Sequence, residues 1–388
     1  MARTQEVVVM DIGSSAIRML VVTKPGSGVS TVRNFVKINY DGYMDGEWVD
    51  SRSAQEAIVT AISRTKDFLG KIKRLYVGIP ADFCTLRTNS TGVTFPKRRK
   101  VDRSDLDALF DKADPFRAEA DKVLINQSSV YYMVDGSRKV VDPEGMSMNE
   151  LTGFLSYIAV DEDVFRFLDD TIKRAGVGDV KYTCGMYAMM MGMFETGVRD
   201  SGLVVTVDAG YLSSTVAVMR GDGLMHMATF PCGKGVFATW ISQGLGIPFD
   251  CALDLFNKTD LSYNPKEGEN YTVNGTGEDG QTFEVDFAIS TVQEYVSECI
   301  AVFAQYVNDA LHSFEEPLSG STGVYLTGGG LSIRGADDTF SKKMGGRYVK
   351  IASPSSCHEY KQPAYSDCIG LAEYAFLQEE LKRNRFGW

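Results

Sequence analysis

The sequence repeats one pattern at half of its length. Residues 7–22 read VVVMDIGSSAIRMLVV, and residues 204–219 read VVTVDAGYLSSTVAVM. Each segment is a β-branched apolar run that ends in Asp-x-Gly, followed by small or hydroxyl residues and a second apolar run, which is typical of a β-hairpin. Asp11 and Asp208 lie 197 positions apart in a chain of 388 residues. The repeat therefore predicts two related α/β lobes, each opening with a hairpin whose tip faces a common cleft.

The two predicted tips have the chemistry of a phosphate site. Glycine lets backbone N–H groups approach an anion, and neighbouring hydroxyls add donors. A carboxylate beside each tip is suited to hold a hydrated Mg²⁺ that neutralises phosphates. We therefore expect Asp11 and Asp208 to be the magnesium-associated, catalytic carboxylates. The nucleotide-binding residues predicted beside them are Gly13, Ser14, Ser15, Arg18, Gly210, Tyr211, Ser213 and Gly233.

A third segment, GVYLTGGGLSIRG (323–335), completes this pattern. It predicts a strand from Val324 to Leu326, then consecutive glycines, and then a helix that begins near Ser332. Consecutive glycines cost backbone entropy, which indicates that another group approaches the main chain closely. The alternative is a flexible loop, but the order of the three segments favours a face for adenosine. The residues predicted for it are Thr327, Gly328, Gly329 and Gly330.

Composition excludes several classes of protein. The chain has 51 acidic and 40 basic side chains and a net charge of -11, which disfavours nucleic-acid binding. The basic run FPKRRKVDR (95–103) is interpreted as a solvated loop that leads to a helix near Ser104. Seven cysteines without a Cys-x-x-Cys pair indicate reduced thiols in a reducing compartment. No stretch approaches the roughly 20 apolar residues of a membrane-spanning helix, so we expect a soluble, cytoplasmic protein.

Four helical or loop segments complete the pattern. The predicted helices are 53–69, with a capping box of Ser53 and Glu56, 164–175, and 292–311. Residues 262–283 are polar and predict an exposed loop with one hairpin turn at Asn274–Gly275.

With these segments the chain resembles the actin-like nucleotide-binding superfamily and, within it, the bacterial cell-division FtsA family. KYTCGMYAMMMG (181–192) and PAYSDCIGLAEYA (363–375) are similar to the two connecting helices of that family, and FPCGKGVFATWISQGLGIP (230–248) is similar to its segment after the second hairpin. VYYMVDGSRKVVDPEGMSMNELTGFLSYIAV (130–160) looks like the FtsA-type inserted subdomain. The resemblance implies an actin-like two-lobe α/β fold of duplicated ribonuclease H-like sheets with flanking helices and this insert.

The repeat and the resemblance together predict seven consecutive segments. They are the first-lobe core with its phosphate hairpin (1–79), the inserted subdomain (80–160), the first-lobe core with the connecting helix (161–200), the second-lobe core with its phosphate hairpin (201–245), the second-lobe insert (246–310), the second-lobe core with the adenosine motif (311–362), and the second connecting helix and tail (363–388).

Three departures from the family pattern bear on ATP and Mg²⁺. Ala16 stands where the family usually has Lys. Tyr211 and Leu212 replace glycines that let backbone amides close on the γ-phosphate. Leu253 and Phe256 stand where the family has the Glu and Lys of its nucleoside-contacting helix. We therefore expect weak or absent ATP hydrolysis, and the binding of ATP with Mg²⁺ remains open.

The resemblance implies a role in cell division. The implied partner is the C-terminal tail of tubulin-like FtsZ, bound at the second-lobe insert, together with self-association into filaments at the inner face of the membrane at the division septum. The end of the chain, 371–388, has no Pro/Ser/Gly-rich linker, so we expect weak membrane contact or contact through a partner. Its final basic and aromatic residues are either a minimal anchor or a solvated tail: Lys382, Arg383, Arg385, Phe386 and Trp388.

Three alternatives stay open beside this reading. One is a PilM-like adaptor of a pilus or secretion machine, and another is a non-hydrolysing scaffold paralogue. The third is a small-molecule kinase of the same superfamily, which Tyr211 and Leu212 disfavour because a kinase needs an intact second hairpin.

Overall fold

The computed structural model describes residues 4–26, 28–276, 280–320 and 322–386, with side chains described as far as Arg383. The strands, in chain order, are β1 (Thr4–Ile12), β2 (Ala16–Pro25), β3 (Thr31–Asn39), β4 (Tyr43–Met44), β5 (Glu47–Trp48), β6 (Leu75–Ile79), β7 (Cys84–Lys100), β8 (Lys122–Val134), β9 (Arg138–Val140), β10 (Ser147–Asp161), β11 (Val180–Cys184), β12 (Val204–Asp208), β13 (Ser214–Arg220), β14 (Gly223–Phe230), β15 (Asn270–Thr276), β16 (Thr282–Ala288), β17 (Val324–Thr327) and β18 (Val349–Ile351). The helices are α1 (Ser51–Leu69), α2 (Arg103–Ala113), α3 (Glu162–Arg174), α4 (Gly185–Met193), α5 (Thr196–Ser201), α6 (Lys234–Leu245), α7 (Phe249–Lys258), α8 (Ile289–His312), α9 (Ala336–Lys343) and α10 (Ser366–Phe386), with short 3₁₀ turns at Ala81–Phe83 and Pro363–Tyr365.

The two halves of the chain form sheets of the same topology. The first sheet has the order β11-β6-β1-β2-β3, and the second has the order β14-β13-β12-β17-β18. In each sheet the hairpin strands and the strand that follows them pair antiparallel, and two later strands add in parallel beside the first hairpin strand. The repeat in the sequence is therefore a repeat of one folding unit, and the predicted actin-like two-lobe α/β fold is confirmed.

The first sheet is buried on both faces, which explains why its strands are continuously apolar. Val8 and Met10 of β1 face one layer, where they join the core formed with α1 and α3. Val7 and Val9 face the opposite layer and join the core formed with α4 and α10. Alternate residues of one strand thus supply both cores, because side chains alternate across a sheet.

The connecting helices α4 and α10 cross at a close backbone contact. A Cβ atom on Gly192 would lie 2.0 Å from the carbonyl oxygen of Gly370. Met186, Met189 and Met190 are buried in the surrounding core, where flexible methionine side chains fill irregular space between the lobes.

The inserted subdomain is a four-stranded antiparallel sheet in the order β7-β10-β8-β9, with α2 packed against it. Its tight turn uses Asp135 and Gly136, which both have positive φ, at 48° and 71°. The insert also contacts the second lobe, since the amide of Asp222 donates to the carbonyl of Ser129 at 3.1 Å. A Cβ on Gly221 would lie 2.4 Å from the carbonyl oxygen of Val130, so the β13–β14 turn fits closely against β8.

Two predicted helix starts are wrong. Helix α1 begins at Ser51, because the side chain of Asp50 caps it by accepting a hydrogen bond from the amide of Arg52 at 2.8 Å. The helix after the glycines begins at Ala336 rather than near Ser332. Between Ser332 and Ala336 the backbone turns at Gly335, whose φ of +75° is favourable for glycine.

Two predicted loops are strands. Residues 95–100 of the basic run continue β7 instead of forming a loop, although Lys97, Arg98, Arg99 and Lys100 are exposed. Asn274 and Gly275 lie within β15, opposite Glu284 and Phe283 of β16, so the predicted hairpin exists but these two residues belong to its strand and not to its turn. Gly275 is needed in the strand because a Cβ there would lie 2.6 Å from the ring of Phe283.

Candidate functional site

The tips of the two repeated hairpins meet at one cavity of about 340 Å³. This volume is at the lower end of the range for small-molecule sites. The structure brings together there nine of the residues that the sequence predicted, together with Asp208: Asp11, Gly13, Ser14, Ser15, Arg18, Gly210, Tyr211, Ser213 and Gly329. The predicted common cleft between the lobes is thus present.

The two aspartates occupy matching strand ends but differ in their partners. Asp11 ends β1 opposite Arg18 of β2, and the guanidinium donates to its carboxylate at 3.0 Å. Asp208 ends β12, and its Oδ1 atom is buried without a hydrogen-bond partner in the described part of the chain. A buried carboxylate oxygen without a partner is costly, so it indicates a site for a water molecule, a cation or a ligand.

The glycine segment is shaped by the second hairpin. The amide of Gly330 donates to the carbonyl of Ala209 at 2.6 Å, and a Cβ on Gly328 would lie 2.2 Å from Oδ1 of Asp208. Gly328 also has a φ of +86°. The group that approaches these glycines is therefore the hairpin backbone and its aspartate, whereas Gly329 faces the cavity.

Two other predicted residues lie beside the cavity without lining it. The hydroxyl of Thr327 is buried and lies within hydrogen-bond distance of the carbonyl oxygen of Ala352, at 2.9 Å, and of the hydroxyl of Ser366, at 2.6 Å. Gly233 lies behind the hairpin tip, where a Cβ would come within 2.5 Å of the carbonyl oxygen of Tyr211. Both residues hold the hairpin and the glycine segment in place.

The tips of the two hairpins bond directly to each other. The hydroxyl of Ser14 accepts hydrogen bonds from the amides of Leu212 and Ser213, at 3.0 Å and 3.5 Å. The hydroxyl of Ser213 donates to Oδ1 of Asp82 at 2.6 Å. Ser14 and Asp82 belong to the first lobe, so these bonds hold the two lobes together at the cavity.

Four charged residues that sequence reasoning missed also line the cavity: Lys37, Asp82, Lys234 and Asp367. Asp82 follows β6, which is parallel to β1, and the carboxyl ends of parallel strands meet at one edge of a sheet. Lys234 is the first residue of α6 and directly follows Gly233. These positional signals were available in the sequence. Lys37 lies opposite Arg18 in the pairing of consecutive strands β2 and β3, whereas Asp367 in α10 is placed by long-range packing.

The cationic side chains of the cavity repel one another. Burial and the neighbouring Arg18 guanidinium lower the pKa of Lys37. Burial and Lys37 lower the pKa of Lys234, whose ammonium donates to the side-chain oxygen of Asn257 at 3.0 Å. Three cations grouped in this way would be stabilised by a bound anion.

The carboxylates of the same cavity are also crowded. Burial, and then the charge of Asp11, raise the pKa of Asp208 to about 7. Burial raises the pKa of Asp82 to about 6 and that of Asp367 well above its ordinary value. Burial also raises the pKa of Asp11, although Arg18 opposes this effect. A cation bound among them would relieve the repulsion.

These residues fit a hydrated Mg²⁺ held jointly with phosphate. No three His, Cys, Asp or Glu side chains between residues 4 and 383, apart from the undescribed positions, converge into a metal centre made by protein alone. Mg²⁺ commonly uses one or two carboxylates and completes its coordination with water and substrate phosphate. Asp208, with its unpartnered oxygen, suits this role best, and Asp11 shares its charge with Arg18.

The two residues of α7 that depart from the family pattern, Leu253 and Phe256, are apolar and are also partly or fully buried. Phe256 is fully buried and packs on Phe237, with ring centroids 5.7 Å apart. Leu253 is half-buried on the same helix. The polar contact from α7 towards the cavity comes instead from Asn257, through Lys234.

Sequence comparisons agree with the expected resemblance. Residues 84–159 match the family model of the SHS2 domain inserted in FtsA. The chain is 25% identical to cell division protein FtsA of Streptococcus pneumoniae, covering 94% of this chain and 79% of that protein. It is 22% identical to cell division protein FtsA of Bacillus subtilis, covering 98% of this chain and 85% of that protein. The resemblance to FtsA is confirmed and extends over most of the chain.

Structural comparisons identify the same fold. The PilM-PilN type IV pilus biogenesis complex matches with a TM-score of 0.61 at 14% identity, covering 95% of this chain and 98% of the matched chain. MreB5 of Spiroplasma citri bound to ADP matches with a TM-score of 0.59 at 12% identity, covering 99% of each chain. Among the described helices, none is long and apolar enough to cross a membrane.

Proposed function

We propose that this chain acts in bacterial cell division as an FtsA-like protein that binds an adenine nucleotide, assembles with copies of itself, and links FtsZ to the division site. The observation that carries the proposal is the convergence of both repeated hairpins on one charged cavity, in a chain with an FtsA-type insert. The ADP-bound MreB5 structure supports the nucleotide part, because it has the same fold.

Different residues of the cavity would bind the phosphates and the Mg²⁺ ion of the nucleotide. Arg18, Lys37 and Lys234 would bind the phosphates, since each lines the cavity as a cation. Asp208 and Asp11 would hold Mg²⁺ through water, and the ion would supply charge neutralisation for the phosphates. We propose that ATP is hydrolysed slowly or not at all, because Tyr211 and Leu212 occupy positions where the family uses glycines.

The FtsZ part of the proposal rests on similarity to the FtsA relatives. We propose that the FtsZ C-terminal tail binds within residues 246–310, which comprise α7, the β15–β16 hairpin and most of α8. The same proposal places the protein at the inner face of the membrane at the septum, with membrane contact weak or made through a partner.

Two measurements test this function. The first is calorimetric titration of the full chain with ADP and ATP in the presence of Mg²⁺, together with a phosphate-release assay. We expect both nucleotides to bind and ATP to be hydrolysed little. If neither ADP nor ATP binds, the nucleotide part of the proposal is overturned. Rapid turnover of ATP would overturn the proposed poor hydrolysis.

The second measurement is binding of a labelled FtsZ C-terminal tail peptide, with a scrambled peptide as the control. We expect specific binding and hydrogen-exchange protection confined to residues 246–310. Retention of a short peptide from an inner-membrane pilus protein, with no retention of the FtsZ peptide, would instead favour a PilM-like adaptor.

A further inference from the structure

We propose that the cavity binds a nucleoside diphosphate in preference to a nucleoside triphosphate, because first-lobe side chains already bond the second hairpin where a third phosphate would bind. This inference rests on the proposed nucleotide binding and names the ligand class of the same cavity. It follows from the hydrogen bonds of the second hairpin, of the helix behind it and of the first hairpin.

Three amides at the tip of the second hairpin, those of Gly210, Leu212 and Ser213, are engaged within the protein, whereas the amide of Tyr211 has no acceptor among the described residues. The amides of Leu212 and Ser213 donate to the hydroxyl of Ser14, and the amide of Gly210 donates to the hydroxyl of Ser214 at 3.0 Å. A backbone nest binds phosphate through N–H groups that point at the anion. A terminal phosphate would therefore have to displace Ser14 before it gained these donors.

The first two amides of the helix behind the hairpin offer no substitute. These amides, those of Lys234 and Gly235, donate to the carbonyls of Gly210 and Tyr211 at 3.1 Å and 2.9 Å. The ring of Tyr211 also covers this turn, since a Cβ on Gly235 would lie 2.9 Å from the ring. The N-terminus of a helix attracts phosphate when its amides are free. Here the hairpin itself uses them.

The Ser14 contact is held from two directions. Gly42, with a φ of +89°, lies so close that a Cβ there would be 2.2 Å from the carbonyl oxygen of Ser14. Beside it, Asp82 accepts the hydroxyl of Ser213 at 2.6 Å. A third phosphate at these amides would have to break the two bonds that they make to Ser14, and it would approach the carboxylate of Asp82, which has like charge.

The first hairpin remains able to bind a shorter phosphate chain. Among the described residues, none accepts a hydrogen bond from the amides of Ser14 and Ser15. Arg18, Lys37 and Lys234 line the cavity beside this tip. Two phosphates would thus meet free donors and cations, whereas the third would meet an occupied hairpin.

The test is calorimetric titration of the full chain with ADP and with a non-hydrolysable ATP analogue, each with Mg²⁺. We expect ADP to bind at least about tenfold more tightly than the analogue. Equal or tighter binding of the analogue would overturn this inference and leave the proposed nucleotide binding standing. Binding of neither nucleotide would instead overturn the nucleotide part of the proposed function.

Two variants test whether Ser14 and Asp82 cause the preference for the diphosphate. Ser14→Ala removes the acceptor for Leu212 and Ser213, and Asp82→Asn removes the negative charge while keeping a polar partner for Ser213. In each we expect the affinity ratio to shift towards the triphosphate by about fivefold or more, through a gain in analogue affinity. Asp82→Asn also provides an independent reading where Ser14→Ala folds poorly.

The matched control is Ser156→Ala, a buried serine of the inserted sheet whose hydroxyl has no partner among the described residues. We expect its affinity ratio to equal that of the unsubstituted chain. An unchanged ratio in both cleft variants, or an equal shift in the control, would overturn the inference.

Discussion

Asp208 illustrates how a single buried carboxylate can lower stability in order to serve a site. Burial and the neighbouring Asp11 raise its pKa to about 7, far above the ordinary 3.8. Between pH 3.8 and about pH 7, Asp208 is therefore mostly protonated in the folded chain and mostly ionised in the unfolded chain. Stability from this residue increases as the pH falls from 8 towards 4 and is lost as the pH rises through about 7.

We predict that Asp208→Asn stabilises the nucleotide-free protein at pH 8, because it removes an ionised carboxylate from a buried, crowded position. The melting temperature should increase by about 2 °C or more at pH 8 and by less at pH 5, where the native carboxyl is protonated. Thermal unfolding followed by circular dichroism measures both values.

The control for this variant is Asp254→Asn, which changes an exposed carboxylate on α7. Its melting temperature should stay close to that of the unsubstituted chain at both pH values. A lower melting temperature of Asp208→Asn at pH 8 would contradict the interpretation that the ionised carboxylate of Asp208 destabilises the protein.

Lys234 supports a second prediction at the residue scale. Lys234→Gln keeps much of the side-chain volume but removes a cation from the cavity, so ADP affinity should decrease by about tenfold. Lys258→Gln is the matched control, since Lys258 is exposed and pairs with Asp254 on the outer face of α7. Similar ADP affinities for the two variants, measured by calorimetry, would argue against a phosphate contact by Lys234.

At the scale of elements, close contacts between backbones position the helices that join the lobes. Helices α4 and α10 meet at Gly192 and Gly370, where a Cβ on the first would lie 2.0 Å from the carbonyl of the second. Any larger residue at this crossing must separate the helices, and these helices pack under the hairpin of the first lobe.

We predict that Gly192→Ala destabilises the protein by about 1–3 kcal/mol, because the added methyl group overpacks this crossing. Gly197→Ala is the control, since Gly197 lies in helix α5 with open space where a Cβ atom would be added. Urea unfolding should show a lower midpoint for the first variant only. Equal midpoints would mean that the helices separate at little cost.

Among the elements of the fold, those with local sequence signals could be predicted, and those that depend on contacts between the lobes could not. The hairpins, the fold class and the inserted sheet were predictable, because apolar runs, Asp-x-Gly turns and the repeat are local signals. The start of α1 at Ser51 was missed because Asp50 and Ser53 are both good caps, and the tertiary fold selected the first. The cross-lobe bonds of Ser14 and Asp82 depend on how two distant sheets dock, which no local pattern encodes.

For the whole molecule, the insert connects the two lobes through its strand β8. It is covalently part of the first half of the chain, yet β8 packs closely on the β13–β14 turn of the second lobe, with the Asp222 amide bonded to Ser129. Opening of the cleft must therefore strain or break this contact as well as the bonds between the hairpin tips. We therefore expect nucleotide binding to be coupled to the insert through the sheets that carry both.

We predict that ADP with Mg²⁺ slows amide hydrogen exchange at both hairpin tips and also at residues 128–130 and 220–223. The reason is that a ligand bridging the lobes reduces the population of open states, in which every contact between the lobes is exposed. The β15–β16 hairpin is the internal control, because it packs on α7 and α8 within the second lobe and should exchange at an unchanged rate. Protection limited to the hairpin tips would show that the insert moves independently of the cleft, and that its contact with β14 does not report on the nucleotide.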